Sequence, residues 1–340
     1  MKKKVIVTGG LGFIGSNLVH KLINEFKVYI IDNISYSANF NNLDGIRKKD
    51  YHFYKIDLSK KKSFEKILFK IKPCGIFHLA AETHVDRSID KADSFIKSNI
   101  EGTFNILEAL KKYCKINRGI KLIHVSTDEV YGDIPKYKKS KETDTYKPSS
   151  PYAASKASSD HLVLAYNRTY KIPTIITNCC NNYGPRQFPE KLIPKLIVNI
   201  LYNKNLPLYG NGSNQREWIY VDDHNEALIK IFKSGRIGET YNIGSGKILS
   251  NKQICKIILK IYKTKLKYKT SSKIIYVKDR PGHDKRYALD STKLKTKLKW
   301  KHKVSITDGL SKTIFWYINN KQWINKLNKK KILKRIGLNK

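Results

Sequence analysis

From residue 4 onward, short apolar runs alternate with stretches whose apolar positions recur every three or four residues. KKVIVTGG reads as a strand running into a glycine turn, and FIGSNLVHKLINEF after it has helical spacing. KVYIID (27–32), YHFYKID (51–57) and CGIFHLA (74–80) read as the second, third and fourth strands. A helix spans roughly 92–115, and IKLIHVS (120–126) is the next strand. SPYAASKASSDHLVLAYNRTY follows, with Ser150 as N-cap and Pro151 in the first turn. IPTIITN (172–178) is a further strand. Such alternation predicts an α/β fold, a Rossmann-like doubly wound parallel sheet with helices on both faces.

After about residue 179 the texture changes. Loops lengthen and become rich in Asn, Gly and Pro, as in NNYGPRQFPE, YGNGSNQREW, NIGSGKILS and DRPGHD, with short helices between them. The expected division is a nucleotide-binding domain over 1–179, a smaller α/β substrate-binding domain mainly over 180–325, and a basic tail over 326–340. REWIYVDDHNEALIKIF (216–232) has the strand–helix form of the first half, so a segment near 216–235 is expected to return to the first domain.

Composition adds bounds. The chain has 340 residues, enough for one large or two modest domains. The start, MKKKVIVTGG, is expected to be a strand and not a secretory leader, because its apolar run is short and meets glycines at once. No run of 18 apolar residues suggests a membrane span. Cys74, Cys114, Cys179, Cys180 and Cys255 match no zinc or CxxC spacing, which points to core thiols in a reducing cytoplasm. The nine histidines form no ligand cluster, so no metal is expected. The net charge of +39 raises the question of a nucleic-acid partner. Of the 67 basic residues only ten are arginine, and the lysines are spread along the whole chain. Nucleic-acid interfaces lean on arginine for bidentate contacts, so the pattern reads as compositional drift and nucleic acid is not the expected partner.

Candidate chemistry begins at TGGLGFIG, where Gly9, Gly12 and Gly15 stand between a strand and a helix. Glycine permits the tight turn and lets backbone N–H groups approach a pyrophosphate at the helix N-terminus. Asp32 ends the second strand, 17 residues beyond Gly15. A carboxylate there holds both ribose hydroxyls and repels a 2′-phosphate, favouring NAD over NADP. Asp57, after the third strand, is a candidate adenine contact, or an ordinary strand-end acid. Tyr152 and Lys156 form YxxxK on one helix face, and an ammonium beside a phenol is expected to lower the phenol's pKa. The spacing alone says little, since about three or four such pairs arise by chance here and four occur: Tyr152–Lys156, Tyr51–Lys55, Tyr137–Lys141 and Tyr317–Lys321. Only the first follows a strand ending in hydroxyls downstream of the glycine motif. That strand ends in Ser126 and Thr127, and two adjacent carboxylates follow, Asp128 and Glu129. On their own these read as a solvated turn or an N-cap. Burial and mutual repulsion would instead separate their pKa values into an acid and a base.

Seven stretches in order, HLAAETHVDRSI, STDEVYGD, SPYAASKASSDH, NNYGPRQFPEKLIP, QREWIYVDDH, GETYNIG and DRPGHDKRYALD, resemble the dTDP-glucose 4,6-dehydratase family of extended short-chain dehydrogenases/reductases, over about residues 3–320. The resemblance implies a tightly bound NAD that is used and regenerated. It implies that Tyr152 takes the C4 hydroxyl proton beside Thr127 and Lys156, that Glu129 removes the C5 proton, and that protonated Asp128 serves the leaving C6 hydroxyl. The product would be dTDP-4-dehydro-6-deoxyglucose, a precursor for dTDP-rhamnose or other deoxysugars. Further implied cofactor contacts are Phe13, Ile14, Asn33, Ile34, Ser35, Leu58, Leu79, Ala80, Ala81, Glu82, Thr83, Ser98 and Asn182. Implied substrate contacts are Thr83, Thr127, Asn181, Lys191 and Leu192 near the sugar and phosphates, and Pro207, Leu208, Tyr209 and Asn251 near the base. Arg216 and Arg280 would hold the diphosphate, the latter with Asp279, Pro281, Gly282 and His283 around it. Thr83 stands where the family has Ser, and the loop before Asn251 is short beside the family pattern. A homodimer through the helices near 92–115 and 151–170 is also implied. Three other readings stay open at this level: a UDP-glucose 4,6-dehydratase, a related epimerase or decarboxylase, and a basic Rossmann-like nucleic-acid-binding protein without catalysis. Epimerases lack the Asp-Glu pair.

Overall fold

A computed structural model describes residues 2–60 and 62–327. Seven parallel strands form the main sheet: β1 (Lys4–Thr8), β2 (Lys27–Asp32), β3 (Tyr51–Lys55), β4 (Gly75–His78), β5 (Lys121–Thr127), β6 (Thr174–Cys179) and a seventh from the second half. Val5, Ile6 and Val7 of β1 are fully buried, as a strand covered on both faces requires. Spatially the order is β3-β2-β1-β4-β5-β6 followed by the seventh strand. The chain reverses direction of winding between β1 and β4, and ligands of such sheets bind beyond the strands' carboxyl ends at that point.

The strand–helix segment expected to return to this sheet divides. Its helix, Val221–Ser234, does lie against the main sheet, where Ala227, Leu228 and Ile231 join the core that holds β1 and the Phe13–Leu22 helix. Its strand does not. β7 (Asn181–Tyr183), β8 (Leu206–Tyr209) and β9 (Gln215–Tyr220) precede the seventh strand of the main sheet, β10 (Thr240–Ile243). β9 pairs with β7 and with β11 (Ile248–Ser250) in a separate three-stranded sheet, and β12 (Ile274–Val277) pairs with β8. Apolar pattern announced a strand at 215–220 but not which edge it would join. A second core, with Ile193, Leu196, Trp218, Ile254, Leu310 and Tyr317, packs the helices Leu192–Leu201, Asn251–Lys260 and Ile306–Asn319.

Local signals set several boundaries. Ser150 Oγ accepts from Ala153 N at 3.1 Å and Pro151 opens the Pro151–Tyr170 helix. Ser250 and Gln253 form a reciprocal capping box at the start of Asn251–Lys260. The helix expected at 92–115 is interrupted: Asp93–Phe95 leads into a π-helical stretch, Ile96–Glu101, before Gly102–Tyr113. Among the described residues, no helix is long and apolar enough to cross a membrane. Lys326 ends the Lys321–Lys326 helix, and the rest of the expected basic tail from 328 onward lies outside the described residues.

Candidate active site

A cavity runs along the carboxyl ends of β1, β2, β4, β5 and β6. At its floor Gly9 has φ +69, a conformation suited to glycine, and a Cβ there would stand 2.8 Å from the Ala80 backbone. A Cβ on Gly15 would lie 2.2 Å from Gly9 O. The two glycines therefore let the turn close on itself. Gly12 caps the Phe13–Leu22 helix without a side-chain hydrogen bond, so N–H groups of its first turn are left for an anionic ligand. Gly15→Ala should drive this turn apart and reduce co-purifying nucleotide to background, read as ultraviolet-absorbing material released by acid.

Asp32 stands at the end of β2, where its carboxylate accepts from Leu11 N at 3.1 Å and Ile34 N at 2.9 Å. Burial pushes its pKa up and these amides oppose the shift. Asn33 and Ser35 line the cavity on either side of Ile34. Ile34 itself is exposed, has φ +60 and does not line it. Asp57 and Leu58 also line the wall, although Asp57 Oδ1 is taken up by Ser59 N at 3.0 Å and Ser59 Oγ at 2.7 Å. Phe13, Ile14, Leu79, Ala80, Ala81, Glu82, Thr83, Ser98 and Asn182 all border the same space.

Thr127, Asp128, Glu129, Tyr152 and Lys156 meet at the far end of this cavity. β5 delivers the first of these, and Thr127 then caps a short 3-10 turn, Asp128–Tyr131, accepting from Glu129 N at 3.3 Å. That turn points two consecutive carboxyls at one site. Asp128 is buried, and its Oδ2 has no hydrogen-bond partner among the described residues. Burial first, then Glu129 and Glu217, push its pKa well above the carboxylate range, with Arg216 and Thr127 opposing. Burial also raises Glu129, but Arg280, Lys191 and Arg216 all favour its charged form. One carboxyl is thus held neutral while its neighbour, facing three cations, is held closer to ionised.

Tyr152 departs from the sequence expectation. Its phenol is pushed well above the ordinary range, by burial first and by the Glu129 carboxylate second, against a hydrogen bond from Thr127. Lys156, which also lines the cavity, is not among the groups that set this shift, and its ammonium lies 3.4 Å from His124 Nε2. Burial lowers the pKa of Lys156 and Asp160 opposes that shift. His124 in turn lies 3.1 Å from Asp160 Oδ1, and burial keeps the imidazole neutral.

Residues expected to meet substrate fall in two places. Thr83, Asn181 and Lys191 line the cavity, and Lys191 Nζ donates to Thr83 O at 2.6 Å. Leu192, which opens the Leu192–Leu201 helix, packs against the second core. The others do not line this cavity, and two of them, Arg280 and Tyr209, meet at Asp86. The carboxylate of Asp86 accepts from Arg280 at 2.6 Å and from Tyr209 OH at 2.8 Å. Asp279 holds His283 Nδ1 at 2.6 Å across the turn through Pro281 and Gly282, and both line a second, polar groove with Gly210. Arg216 donates to the carbonyls of Gln215 at 2.8 Å and Asp284 at 2.9 Å and stacks 4.3 Å over Tyr287. Leu208 is buried in the second core, so only its backbone could face a ligand; Pro207 precedes it in β8, and Asn251 is buried at the start of its helix.

Some contributors had no signal in the sequence. Asn99 lies in the π-helical stretch, where its amide bridges Glu82 N at 2.8 Å, Glu82 O at 3.0 Å and Ser155 Oγ at 2.9 Å. It ties the loop after β4 to the tyrosine helix. Cys179 and Cys180, expected as plain core thiols, also border the cavity, and burial keeps both protonated.

The family model for GDP-mannose 4,6 dehydratase matches residues 6–313 of this chain. A probable dTDP-glucose 4,6-dehydratase from Sinorhizobium fredii is 45% identical, covering 96% of each chain. The dTDP-glucose 4,6-dehydratase of Salmonella typhimurium is 44% identical over 95% of this chain and 94% of that one. The crystal structure of dTDP-glucose 4,6-dehydratase from Bacillus anthracis in complex with NAD superposes with a TM-score of 0.86 at 40% identity, covering 96% of this chain and 100% of that one. With the family model matched over most of the chain and relatives 44–45% identical over nearly its full length, the chain belongs to the GDP-mannose 4,6 dehydratase family, among the dTDP-glucose 4,6-dehydratases.

Proposed function

We propose that this protein is an NAD-dependent dTDP-glucose 4,6-dehydratase, a hydro-lyase that converts dTDP-glucose to dTDP-4-dehydro-6-deoxyglucose and water. The observation that carries the reading is the Asp128–Glu129 pair, two consecutive carboxyls, the first buried and the second half-buried, with different charged neighbours in the same cavity as Tyr152. NAD fits the residues present: the Gly9–Gly15 turn and the uncapped helix would hold the pyrophosphate, Asp32 the adenine ribose, and Lys156 the nicotinamide ribose. When bound, the cofactor supplies a hydride acceptor for C4, a positive charge beside the phenol, and the hydride that returns to C6. Tyr152 takes the proton of the C4 hydroxyl, while Thr127 hydrogen-bonds the same oxygen region. The 4-ketone acidifies C5, and Glu129 removes that proton. Asp128 gives its proton to the C6 hydroxyl, which leaves as water. Glu129, its proton exchanged with solvent, then reprotonates C5. Tyr152, which enters as the phenolate, is left with the O4 proton and Asp128 has given up its own, so one proton passes from Tyr152 to Asp128 through solvent before the next turnover.

Arg280 and Arg216, with Lys191, place positive charge where a diphosphate would lie, and Pro207, Tyr209 and Asn251 would border the base. Dimerisation through the helices Gly102–Tyr113 and Pro151–Tyr170 is supported by Phe104, Leu164 and Tyr170, large apolar side chains left exposed on this face. Free thiols and a nucleotide-sugar substrate suit the cytoplasm.

The substrate is tested by incubating purified protein with dTDP-glucose and with UDP-glucose, with no added reductant, and reading the alkali-revealed absorbance of the 4-keto sugar. Product from the first supports the reading, and product from UDP-glucose alone overturns the nucleotide assignment. The carboxyl pair also predicts a bell-shaped pH profile of kcat. Glu129 must be ionised, so the rate falls as pH drops through its raised pKa. Asp128 must be protonated, so the rate falls as pH rises through its own, more strongly raised pKa. Asp128→Asn should remove the alkaline limb together with most of the rate.

A further inference from the structure

Glu190 lies on the wall of the cavity, yet nothing in the chemistry above uses it. Its side chain is 7% exposed, and both oxygens are occupied. Oε1 accepts from Tyr36 OH at 2.7 Å, and Oε2 accepts from Arg87 Nε at 3.1 Å. The Arg87 guanidinium also lies 3.9 Å over the Tyr36 ring, and Phe188 meets that ring edge-on at 5.7 Å. His84 Nε2 stands 4.0 Å from the same carboxylate, and burial holds its pKa at about 4, so Arg87 is the cation that hydrogen-bonds it, with the Lys191 ammonium a further charge nearby.

These side chains come from three segments: the loop after β2, the short helix Val85–Asp90 after β4, and the segment after β7. Their neighbours Ser35, Ser37, Thr83, Phe188 and Lys191 line the cavity along with Glu190, so the bridge ties together segments on different sides of it. The base of the third segment is itself anchored. Asn17, in the glycine-turn helix, donates to Pro185 O at 3.1 Å and accepts from Arg186 at 3.0 Å. Arg186 has φ +69, a conformation a non-glycine residue holds only when its surroundings fix it.

We infer that Tyr36, Arg87 and Glu190 form a latch that retains the dinucleotide between the two hydride transfers of one turnover. The inference rests on the proposed function. A cofactor that is used at C4 and restored at C6 must stay seated while water is eliminated, and escape in that interval would leave the enzyme inactive. Tyr36 and Glu190 close the space between the ribose-side loop and the segment carrying Lys191. Arg87 locks the carboxylate from the third side with a charge-assisted hydrogen bond.

The test uses the purified full-length holoenzyme, Tyr36→Phe, Glu190→Gln and the double variant. Dissociation of bound NAD is followed after dilution into an NAD-trapping dehydrogenase, and melting temperature and KM for dTDP-glucose are recorded alongside. Each single variant should release NAD about tenfold faster or more, the scale of one charge-assisted hydrogen bond, with melting temperature and KM close to the parent. The double variant should release it no faster than the quicker single one, since both changes open the same latch. Parent-like release from both single variants overturns the latch, as does faster release seen only with a lowered melting temperature. Should one variant fail to fold, the other carries the test. A parent protein that neither carries nor takes up NAD overturns the cofactor reading beneath it.

Discussion

Replacing Glu129 with Gln should lower the rate of product formation by about 10²–10⁴-fold, the usual contribution of one positioned base. Glutamine keeps the size and the hydrogen bonds of the side chain but cannot accept the C5 proton. Oxidation at C4 belongs to Tyr152 and Thr127 and should persist, visible as the absorbance of reduced nicotinamide when substrate is added. In D2O the wild type should place deuterium at C5, and the variant should not. Removing the Glu129 charge also relieves Tyr152, whose phenol that carboxylate helps to hold protonated, so the C4 step should not be slower. Joint loss of oxidation and elimination would argue against Glu129 as the C5 base.

Tyr152→Phe should have the complementary signature. Loss of the phenol should cost about 10²–10⁴-fold at the first step, and with no ketone at C4 nothing acidifies C5. The variant should show neither reduced cofactor nor deuterium at C5, while NAD content stays near the parent's because the glycine turn and Asp32 are untouched. The pair of variants therefore separates the two halves of the reaction: one stops before oxidation, the other after it. A Tyr152→Phe protein that still oxidised C4 at the parent rate would place that proton transfer elsewhere. Burial raises the phenol's pKa, so its work depends on the charge a bound nicotinamide brings and not on Lys156 alone.

What the sequence makes legible is what short segments fix by themselves. The glycine turn at 9–15, the acid ending β2, the Thr-Asp-Glu run ending β5 and the Tyr-Lys helix are each local, and the structure places them around one cavity. The parallel sheet follows from the alternation of buried strands and amphipathic helices. Tertiary choices were not legible. Residues 215–220 have the pattern of a strand, but pairing with β7 and β11, with β10 taking the main-sheet edge, is decided by long-range packing. The π-helical stretch that aims Asn99 at Glu82 interrupts a run with uniform helical pattern. Glu190, in a loop whose neighbour Lys191 was singled out, acquires its partners only through residues 103 and 154 positions away. The lowering of the Tyr152 pKa expected from i, i+4 spacing is not met for the same reason, since spacing does not reveal the burial and the Glu129 carboxylate that push the phenol up.

The central claim is that one cavity carries out oxidation, elimination and reduction on a single sugar without releasing the hydrogen taken from C4. It is tested most directly with dTDP-glucose deuterated at C4, turned over in ordinary water and read by NMR of the product. Deuterium is expected at C6 of a 4-keto-6-deoxy sugar, with solvent hydrogen at C5. Deuterium returned to C4, or lost from the sugar, would contradict it.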